Sequence, residues 1–346
     1  MGPKRFFAAA LALTLLLLAA AAGFVVWTDP LLTVGKLEEG ETALFMNERY
    51  EMAGLIRNQD YSALVMGTSL VANYRASWFT EGLGQETLKI TFPDGWIAEF
   101  DTALDLALRT HPEVDTVFFC LDPNILVRPD SERRVELPAY LYNDDPLDDV
   151  ELYLSADALA LAVKTLRERQ WGWATGLDDA YVWDGTCVFS KETVLEGYTR
   201  PEPSGTALPE DAYLAAAEEN LDVICGWIER HPGIRFHIWF PPYSVLYWDK
   251  MTREGTADAI LNAVEHAAGR LVGYENASVY IFLALYDTIT DLDNYTDHVH
   301  CSGTVNRWVA WTMMGDYWRL SEDRYRISVD ELRRFVHSYD YDAIFN

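Results

Sequence analysis

Basic residues are scarce in this chain of 346 residues. It has 27 lysines and arginines against 54 aspartates and glutamates, which gives a formal net charge of −27. A surface of that charge repels phosphate backbones, so nucleic acid is excluded as an expected partner. A neutral glycan or small molecule suits the charge better.

Cysteine is scarce too. The four residues are Cys120, Cys187, Cys225 and Cys301, and no two of them form a CxxC pair. This excludes a zinc knuckle and a dithiol redox motif, and we expect neither a cofactor nor a metal. Cys120 and Cys225 stand in apolar segments typical of buried thiols. An exported protein can form a disulfide, but the sequence does not indicate which of these cysteines would pair.

A long apolar run occurs once, at the N-terminus. Residues 6–27 follow Lys4-Arg5 and precede the first acidic residue, Asp29. A run of about 20 residues can cross a bilayer as a helix, and the basic flank predicts that its first end is cytoplasmic. We therefore expect a single-pass protein of the cell membrane, with the rest of the chain outside the cytoplasm and a net charge there of −29.

A cleaved signal peptide is the alternative, because Ala19 to Ala22 offer small residues for cleavage. The run is longer than the usual signal core of about 7–15 residues, which favours an uncleaved anchor.

Five short apolar segments alternate with helical patterns after the anchor. This alternation predicts an α/β fold with a parallel sheet covered by helices on both faces. The predicted strands are Ser62 to Met66, Thr87 to Phe92, Thr116 to Leu121, Arg235 to Phe240 and Ser278 to Phe282. The predicted helices lie at residues 47–57, 97–110, 149–170, 209–230, 256–272 and 304–318, with a terminal helix in 328–345.

These patterns divide the chain into four parts. We expect an anchor at 1–28, a connector at 29–60, an α/β domain at 61–325 and a helical tail at 326–346. Residues 124–208 break the alternation and are predicted to be an insertion in the α/β domain. Four aromatic residues of the insertion form either a platform for a sugar ring or a small core of their own: Trp171, Trp173, Tyr181 and Trp183.

Two polar segments carry the chemistry. Ser69 follows the first strand in Gly67-Thr-Ser69, and Asp297-His-Val-His300 follows the fifth. The three-residue spacing lets the Asp297 carboxylate fold back onto the imidazole of His300, while the serine backbone amide faces a developing oxyanion. Because ligands bind at the carboxyl ends of parallel strands, we expect both segments at one edge of the sheet.

Plainer interpretations remain open for the same residues. Ser69 also suits a capped turn, and Asp297 with the two histidines also suits a loop that satisfies its own backbone. His298 and His300 with an acid would suit a metal, although no third cluster of ligands follows.

The motifs and their order resemble the SGNH (GDSL-type) hydrolase superfamily. The resemblance rests on Gly67-Thr-Ser69, on Gly95 after the second strand and on Asp297-x-x-His300. Further segments are similar to membrane-anchored SGNH-like proteins of Gram-positive bacteria: residues 47–50, 54–58, 66–69, 240–244 and 294–300. The resemblance covers essentially the whole part of the chain that is expected to be exported.

The resemblance implies a three-layer α/β/α sandwich of flavodoxin-like type with a five-stranded parallel sheet. It implies Ser69 as nucleophile, His300 as base and Asp297 as the acid that orients it. The oxyanion would be bound by the amides of Ser69 and Gly95 and by an asparagine after the third strand. That strand ends Cys120-Leu-Asp-Pro-Asn124, so either Asn124 reaches the hole or Asp122 takes its place and repels the oxyanion.

Two functions follow as hypotheses. The first is a membrane-anchored serine esterase or O-acyltransferase acting on a small-molecule or glycan acyl ester, such as cell-envelope carbohydrate. The second is a catalytically inactive SGNH-like binding or assembly protein, and a metal-dependent hydrolase is a third. Further residues are expected to line the pocket, either as walls or as packing: Asp122, Trp96, Tyr243, Ser244, His298 and Trp248.

Overall fold

The computed structural model describes residues 2–145, 147–169, 172 and 174–346. The chain divides into two compact units. The first runs to Gln59 and includes Glu136–Tyr181, and the second consists of Asp60–Val135 and Val182–Asn346. Part of the predicted insertion therefore clusters with the N-terminal segment, while its two ends belong with the sheet.

The sheet belongs to the second unit. Its strands are β1 Ala63–Gly67, β2 Thr87–Thr91, β3 Thr116–Cys120, β4 Arg235–Phe240 and β5 Ala277–Ile281. The helices of the chain are α1 Pro3–Thr28, α2 Glu48–Asn58, α3 Ser69–Ala72, α4 Ala76–Leu83, α5 Ile97–Thr110, α6 Pro123–Leu126, α7 Val150–Tyr153, α8 Ala156–Arg169, α9 Lys191–Gly197, α10 Leu214–Arg230, α11 Val245–Glu254, α12 Ala257–Leu271, α13 Tyr286–Ile289, α14 Gly303–Met314 and α15 Tyr325–Ser338.

The five strands form one parallel sheet in the order β2-β1-β3-β4-β5. The predicted all-parallel, five-stranded sheet is confirmed, with each strand within about one residue of its predicted bounds. All residues of β1, β2, β3 and β5 are buried, which explains why β1 and β3 are almost entirely apolar, whereas β2 also buries Thr87, Lys89 and Thr91.

The strand order reverses direction at β1. The chain goes from β1 to β2 on one side and then crosses to β3 on the other, so the segments after β1 and β3 leave the same edge on diverging paths. This is the switch point at which doubly wound sheets bind ligands. Ser69 follows β1 and Asp122 follows β3, so the predicted chemistry lies at this point.

Helices pack against one another beside the sheet. α10 contacts both α5 and α12, and α4 contacts α14. The apolar residues of α5 recur on one face, as Phe100, Leu104 and Ala107 do, and these side chains are buried.

Four predicted helices differ from the observed ones. The terminal helix predicted in 328–345 is α15, which begins at Tyr325 and ends at Ser338. α10 begins at Leu214 rather than Pro209, because Ala212 and Leu214 donate their N–H groups three residues back, as in a turn. α14 ends at Met314 rather than Trp318, and Gly315 follows it. The predicted helix 149–170 is two helices, α7 and α8, because the Ser155 side chain accepts the Ala158 N–H and starts a new helix; its last residue, Gln170, lies outside the described residues.

The first unit contains the apolar N-terminal helix. α1 is long and apolar enough to cross a membrane, and within the described ranges no other helix meets both conditions. α7 and α8 pack against α1.

Candidate active site

Glycine at position 67 lets β1 end close to its neighbours. A Cβ atom there would lie 2.7 Å from the Cβ of Cys120 and would also collide with Val71. A glycine before a strand-to-helix connection is typical of a tight turn with positive φ, but Gly67 does not have a positive φ. Close approach is therefore the reason for glycine, and it allows Ser69 to begin α3 directly at the sheet edge.

Ser69, His300 and Asp297 form a continuous hydrogen-bonded chain. The Oγ of Ser69 lies 2.9 Å from Nε2 of His300, and Nδ1 of His300 lies 2.7 Å from Oδ2 of Asp297. Residues 231 positions apart in the chain thus meet at hydrogen-bond distance. This arrangement can activate a hydroxyl nucleophile, because the imidazole can accept the serine proton while the carboxylate holds it in the correct tautomer.

The loop that carries Asp297 and His300 is closed by its own backbone. Tyr295 and Cys301 form an antiparallel bridge, and the Ser302 N–H donates to the Asn294 carbonyl at 2.7 Å. Inside the loop, Oδ1 of Asp297 accepts the N–H groups of Val299 and His300, each at 2.8 Å. The backbone therefore holds Oδ1 of the carboxylate, while Oδ2 contacts the imidazole.

The segment after β4 holds this loop against the sheet. The Tyr295 hydroxyl donates to the Pro242 carbonyl at 2.7 Å, and the Ser244 hydroxyl donates to the His298 carbonyl at 2.9 Å. Ser244 and Tyr243 are both fully buried. Ser244 thus positions the loop, and Tyr243 belongs to the core rather than to an open pocket wall.

The pKa of Asp297 is lowered. Burial by itself raises the pKa of Asp297, but the hydrogen bond and charge of His300 and the two backbone N–H groups together lower it by more than burial raises it. Asp297 is therefore ionised at neutral pH and can stabilise the imidazolium that forms when His300 takes a proton.

His298 stands beside the triad in a different environment. Burial, followed by the charge of Lys250, lowers the pKa of His298. Its ring lies 6.2 Å from that of Tyr198. Across the part of the chain that the structure describes, no group of three or more His, Cys, Asp or Glu side chains is arranged to hold a metal ion. All four cysteines are free thiols.

A small cleft opens at the nucleophile. Its volume is about 10 Å³, which is room for about one water molecule. Its lining includes Ser69, Asn73, Pro241, His300 and Asn306. The cleft is large enough for a water molecule or a hydroxyl group beside the triad.

Trp183 packs against the imidazole of His300. The two rings meet edge to face, with centroids 5.1 Å apart and planes at 86°. The N–H groups of Trp183 and Asp184 donate to the side-chain oxygen of Asn73, at 2.9 and 3.0 Å. Asn73 thereby ties the segment that carries Trp183 to the end of α3, one helical turn after Ser69.

Gly95 closes a tight turn after β2. Its N–H donates to the Phe92 carbonyl at 2.9 Å, and Asp94 has a φ of 51°. Proline at the second position and a positive φ at the third are typical of a type II turn. The backbone N–H expected to bind an oxyanion is thus engaged within the turn.

Arg128 holds this turn from the segment after β3. Its guanidinium donates to the Asp94 carboxylate at 2.7 Å and to the Gly95 carbonyl at 2.6 Å. It also lies 3.6 Å above the ring of Trp96, which is 4% exposed. Trp96 therefore packs beneath Arg128. Trp248, which is fully buried, packs in the core as well.

Asp122 lies buried between the nucleophile loop and Tyr243. Its carboxylate accepts the Thr68 hydroxyl at 3.3 Å, the Asn124 N–H at 2.7 Å and the Tyr243 hydroxyl. Burial raises the pKa of Asp122 despite these hydrogen bonds. The carboxyl group is engaged by three donors and lies next to the residue that precedes the nucleophile.

Asn124 is exposed, and two tyrosines hold its carboxamide. The nitrogen donates to the Tyr243 hydroxyl at 3.0 Å, and the oxygen accepts the Tyr247 hydroxyl at 3.2 Å. An amide nitrogen carries two N–H donors. One of them is used by Tyr243, so the second remains for a ligand.

Sequence reasoning missed Asn73 and Arg128, and it gave Trp183 no role next to the imidazole. The position of Asn73, four residues after Ser69, is a local signal that points to it. Arg128 and Trp183 have no such signal, because their partners are distant in the chain. Of the other aromatic residues of the insertion, Tyr181 donates to Glu51 at 2.6 Å within the first unit, and Trp171 and Trp173 lie outside the described residues.

Comparison with protein-family models, with curated proteins and with solved structures gives no match to this chain. The geometry of the site is therefore the only basis on which a function is proposed.

Proposed function

We propose that this protein is a membrane-anchored serine esterase or O-acyltransferase of SGNH type. The observation that carries the proposal is the chain of contacts from Ser69 through His300 to Asp297, at 2.9 and 2.7 Å. The strand order 2-1-3-4-5 and the place of Ser69 at the switch point support a flavodoxin-like, three-layer domain.

The first half-reaction forms an acyl-enzyme. Ser69 Oγ attacks the acyl carbonyl carbon while Nε2 of His300 takes the hydroxyl proton. The proton then passes to the leaving alkoxide as the carbon–oxygen bond of the ester breaks. Asp297 stays ionised throughout and stabilises the imidazolium.

Two donors are proposed for the oxyanion. The backbone N–H of Ser69 is at the first position of α3, where an N–H has no partner within the helix. The second N–H of the Asn124 carboxamide is the other. The Gly95 N–H would have to break its hydrogen bond with the Phe92 carbonyl before it could bind the oxyanion.

The second half-reaction decides between hydrolysis and transfer. Water or a sugar hydroxyl attacks the acyl-enzyme and gives its proton to His300. The net charge of −27 favours a neutral acyl ester, such as an acylated cell-envelope glycan, over an anionic polymer. The basic Lys4-Arg5 flank of α1 supports a site on the extracytoplasmic side.

The test is covalent labelling of the full-length protein in detergent. A fluorophosphonate probe is expected to label the protein, and p-nitrophenyl acetate is expected to be hydrolysed; both signals are lost in Ser69→Ala. Ser204→Ala, which changes an exposed serine, is the matched control and retains both. A folded protein that the probe does not label would contradict the enzyme proposal.

A second candidate is an SGNH-like binding or assembly protein without turnover. Two observations favour it: the Gly95 N–H donates to the Phe92 carbonyl, and the cleft at Ser69 has room for only about one water molecule. This candidate predicts that Ser69→Ala leaves the cellular function intact, whereas the enzyme proposal predicts its loss.

A further inference from the structure

The N-terminal helix changes its surroundings near its end. Residues 2–20 are all exposed, whereas Val25 and Thr28 are each 2% exposed and three residues before them are half-buried. The buried and half-buried residues lie at the end of α1 that is remote from Lys4-Arg5, where α7 and α8 pack against α1.

Small residues of α8 are buried in this unit. Ala158, Ala162 and Thr165 recur at intervals of four and three residues, and each is at most 3% exposed. Small side chains at this spacing let two helices approach closely, as they do inside membranes. Together with Leu152 of α7, they form the buried face of residues 150–169, here called the α7–α8 segment.

A second face of the α7–α8 segment is apolar and open. Val150, Leu154, Leu159 and Val163 are 49, 45, 36 and 55% exposed. A third face is charged, with Asp157, Lys164 and Glu168 on it, and Lys164 lies 3.8 Å from Glu168. Three distinct faces are expected of a helix that contacts a protein helix, hydrocarbon and water at the same time.

The length of α1 sets the depth of this contact. A hydrocarbon core of about 30 Å takes about 20 helical residues at 1.5 Å each. Counted from Phe6, the first residue after the basic flank, the core reaches Val25. The covered part of α1 therefore begins inside the far leaflet. Trp27, which is 71% exposed, follows at the level where tryptophans line the membrane interface.

We propose that the α7–α8 segment is an interfacial membrane element, embedded by its Leu159 and Val163 face in the leaflet where α1 ends. At 14 residues, α8 is about 21 Å long and too short to span the bilayer. The occupant of the open apolar face is the lipid of the membrane that α1 crosses, because this face adjoins the covered end of α1. The inference depends on the membrane anchor of the proposed function and is independent of the chemistry at Ser69.

The test uses the full-length protein reconstituted in phosphatidylcholine vesicles. Cys187 is replaced by serine, because the other three cysteines are buried. An environment-sensitive fluorophore is attached at single cysteines introduced by Leu159→Cys or Val163→Cys, or by Asp157→Cys or Lys164→Cys on the charged face. Leu16→Cys reports on α1 itself.

Spin-labelled acyl chains are expected to quench the fluorophore at positions 16, 159 and 163, and its emission there shifts to shorter wavelength. At positions 157 and 164 it remains unquenched. Quenching at 16 without quenching at 159 and 163 overturns the inference and leaves the anchor intact. No quenching at 16 overturns both, while fluorophosphonate labelling of Ser69 still tests the chemistry.

Two other results also contradict the proposal. Equal quenching at all four α8 positions would mean that the contact with lipid is not confined to one face. Efficient disulfide cross-linking of Val163→Cys between two copies, without quenching at 163, would assign the apolar face to a second copy of the chain.

Discussion

Asp297 is the residue whose surroundings are most completely defined. Its two carboxylate oxygens accept two backbone N–H groups and contact the imidazole of His300, and its pKa is lowered even though burial acts in the opposite direction. An ionised carboxylate so held both orients the ring and balances its positive charge. In the proposed mechanism, the reactivity of Ser69 thus depends on a residue that does not contact the substrate.

Replacement of Asp297 tests this dependence. Asp297→Asn is expected to lower kcat by on the order of 10²–10⁴-fold, because a neutral amide no longer stabilises the imidazolium. Turnover of p-nitrophenyl acetate measures the effect, and Asp287→Asn at an exposed position is the control. Unchanged turnover in a folded Asp297→Asn protein would contradict the triad.

Asn124 tests the oxyanion assignment. Asn124→Ala is expected to lower kcat by about 10²–10³-fold with little change in KM, because a donor that acts mainly in the transition state is lost. Tyr247→Phe removes only the contact with the Asn124 oxygen and is expected to have a smaller effect. A wild-type kcat in Asn124→Ala would leave the carboxamide as a packing group for Tyr243.

At the scale of elements, the turn from β1 to α3 depends on close packing. Gly67→Ala is expected to destabilise the protein by about 1–3 kcal/mol, because the added methyl group collides with Val71 and Cys120. Chemical denaturation measures the loss. Gly185→Ala, where nothing lies within 4 Å of the added atom, is expected to be close to neutral, and equal stabilities of the two variants would contradict the packing argument.

α2 carries a buried carboxyl group that makes stability depend on pH. Burial raises the pKa of Glu51 to about 7 from an ordinary value of 4.5, despite hydrogen bonds from the Tyr181 hydroxyl and the Met46 N–H. Because folding favours the protonated form, the full contribution to stability is present below pH 4.5 and is lost as the pH rises through 7. Above about pH 7, the lost contribution to the free energy of unfolding is about 3 kcal/mol.

Glu51→Gln is therefore expected to remove this pH dependence. Thermal unfolding between pH 4.5 and 8 should show a falling Tm in the wild type and a flatter profile in the variant. Glu39→Gln at an exposed position should behave as the wild type does. A parallel fall in Tm for Glu51→Gln would place the titrating group elsewhere.

At the scale of the whole molecule, the candidate active site and the candidate membrane helix belong to different units. The residues of the candidate active site lie in the unit that contains the sheet, while the first unit contains α1 and the helices that pack on it. We therefore expect that the proposed anchoring and the proposed chemistry can be changed separately.

Two truncations test this division. Deletion of residues 2–20 removes only the exposed part of α1 and is expected to give a folded protein that the fluorophosphonate probe labels at Ser69. Deletion of residues 2–28 also uncovers the buried face of α8 and is expected to lower Tm and promote aggregation. Equal behaviour of the two proteins in thermal unfolding and gel filtration would contradict the packing of α8 on α1.

The local sequence was sufficient for some features of this protein. Strands such as β1 and β3 are almost entirely apolar because both of their faces are buried, and amphipathic helices such as α5 repeat their apolar residues every three to four positions, so both can be recognised within a short window. The serine, the aspartate and the histidine were predictable for the same reason: each follows a strand, and parallel strands end at a common edge.

Other features were decided only by the tertiary structure. Contacts between distant residues determine that Trp183 meets His300, that Arg128 holds the turn at Gly95 and that Tyr243 is buried on Asp122 rather than lining a pocket. The division of the insertion between two units is of the same kind. Such contacts depend on the packing of whole elements, and no local pattern encodes a partner that lies tens of residues or more away along the chain.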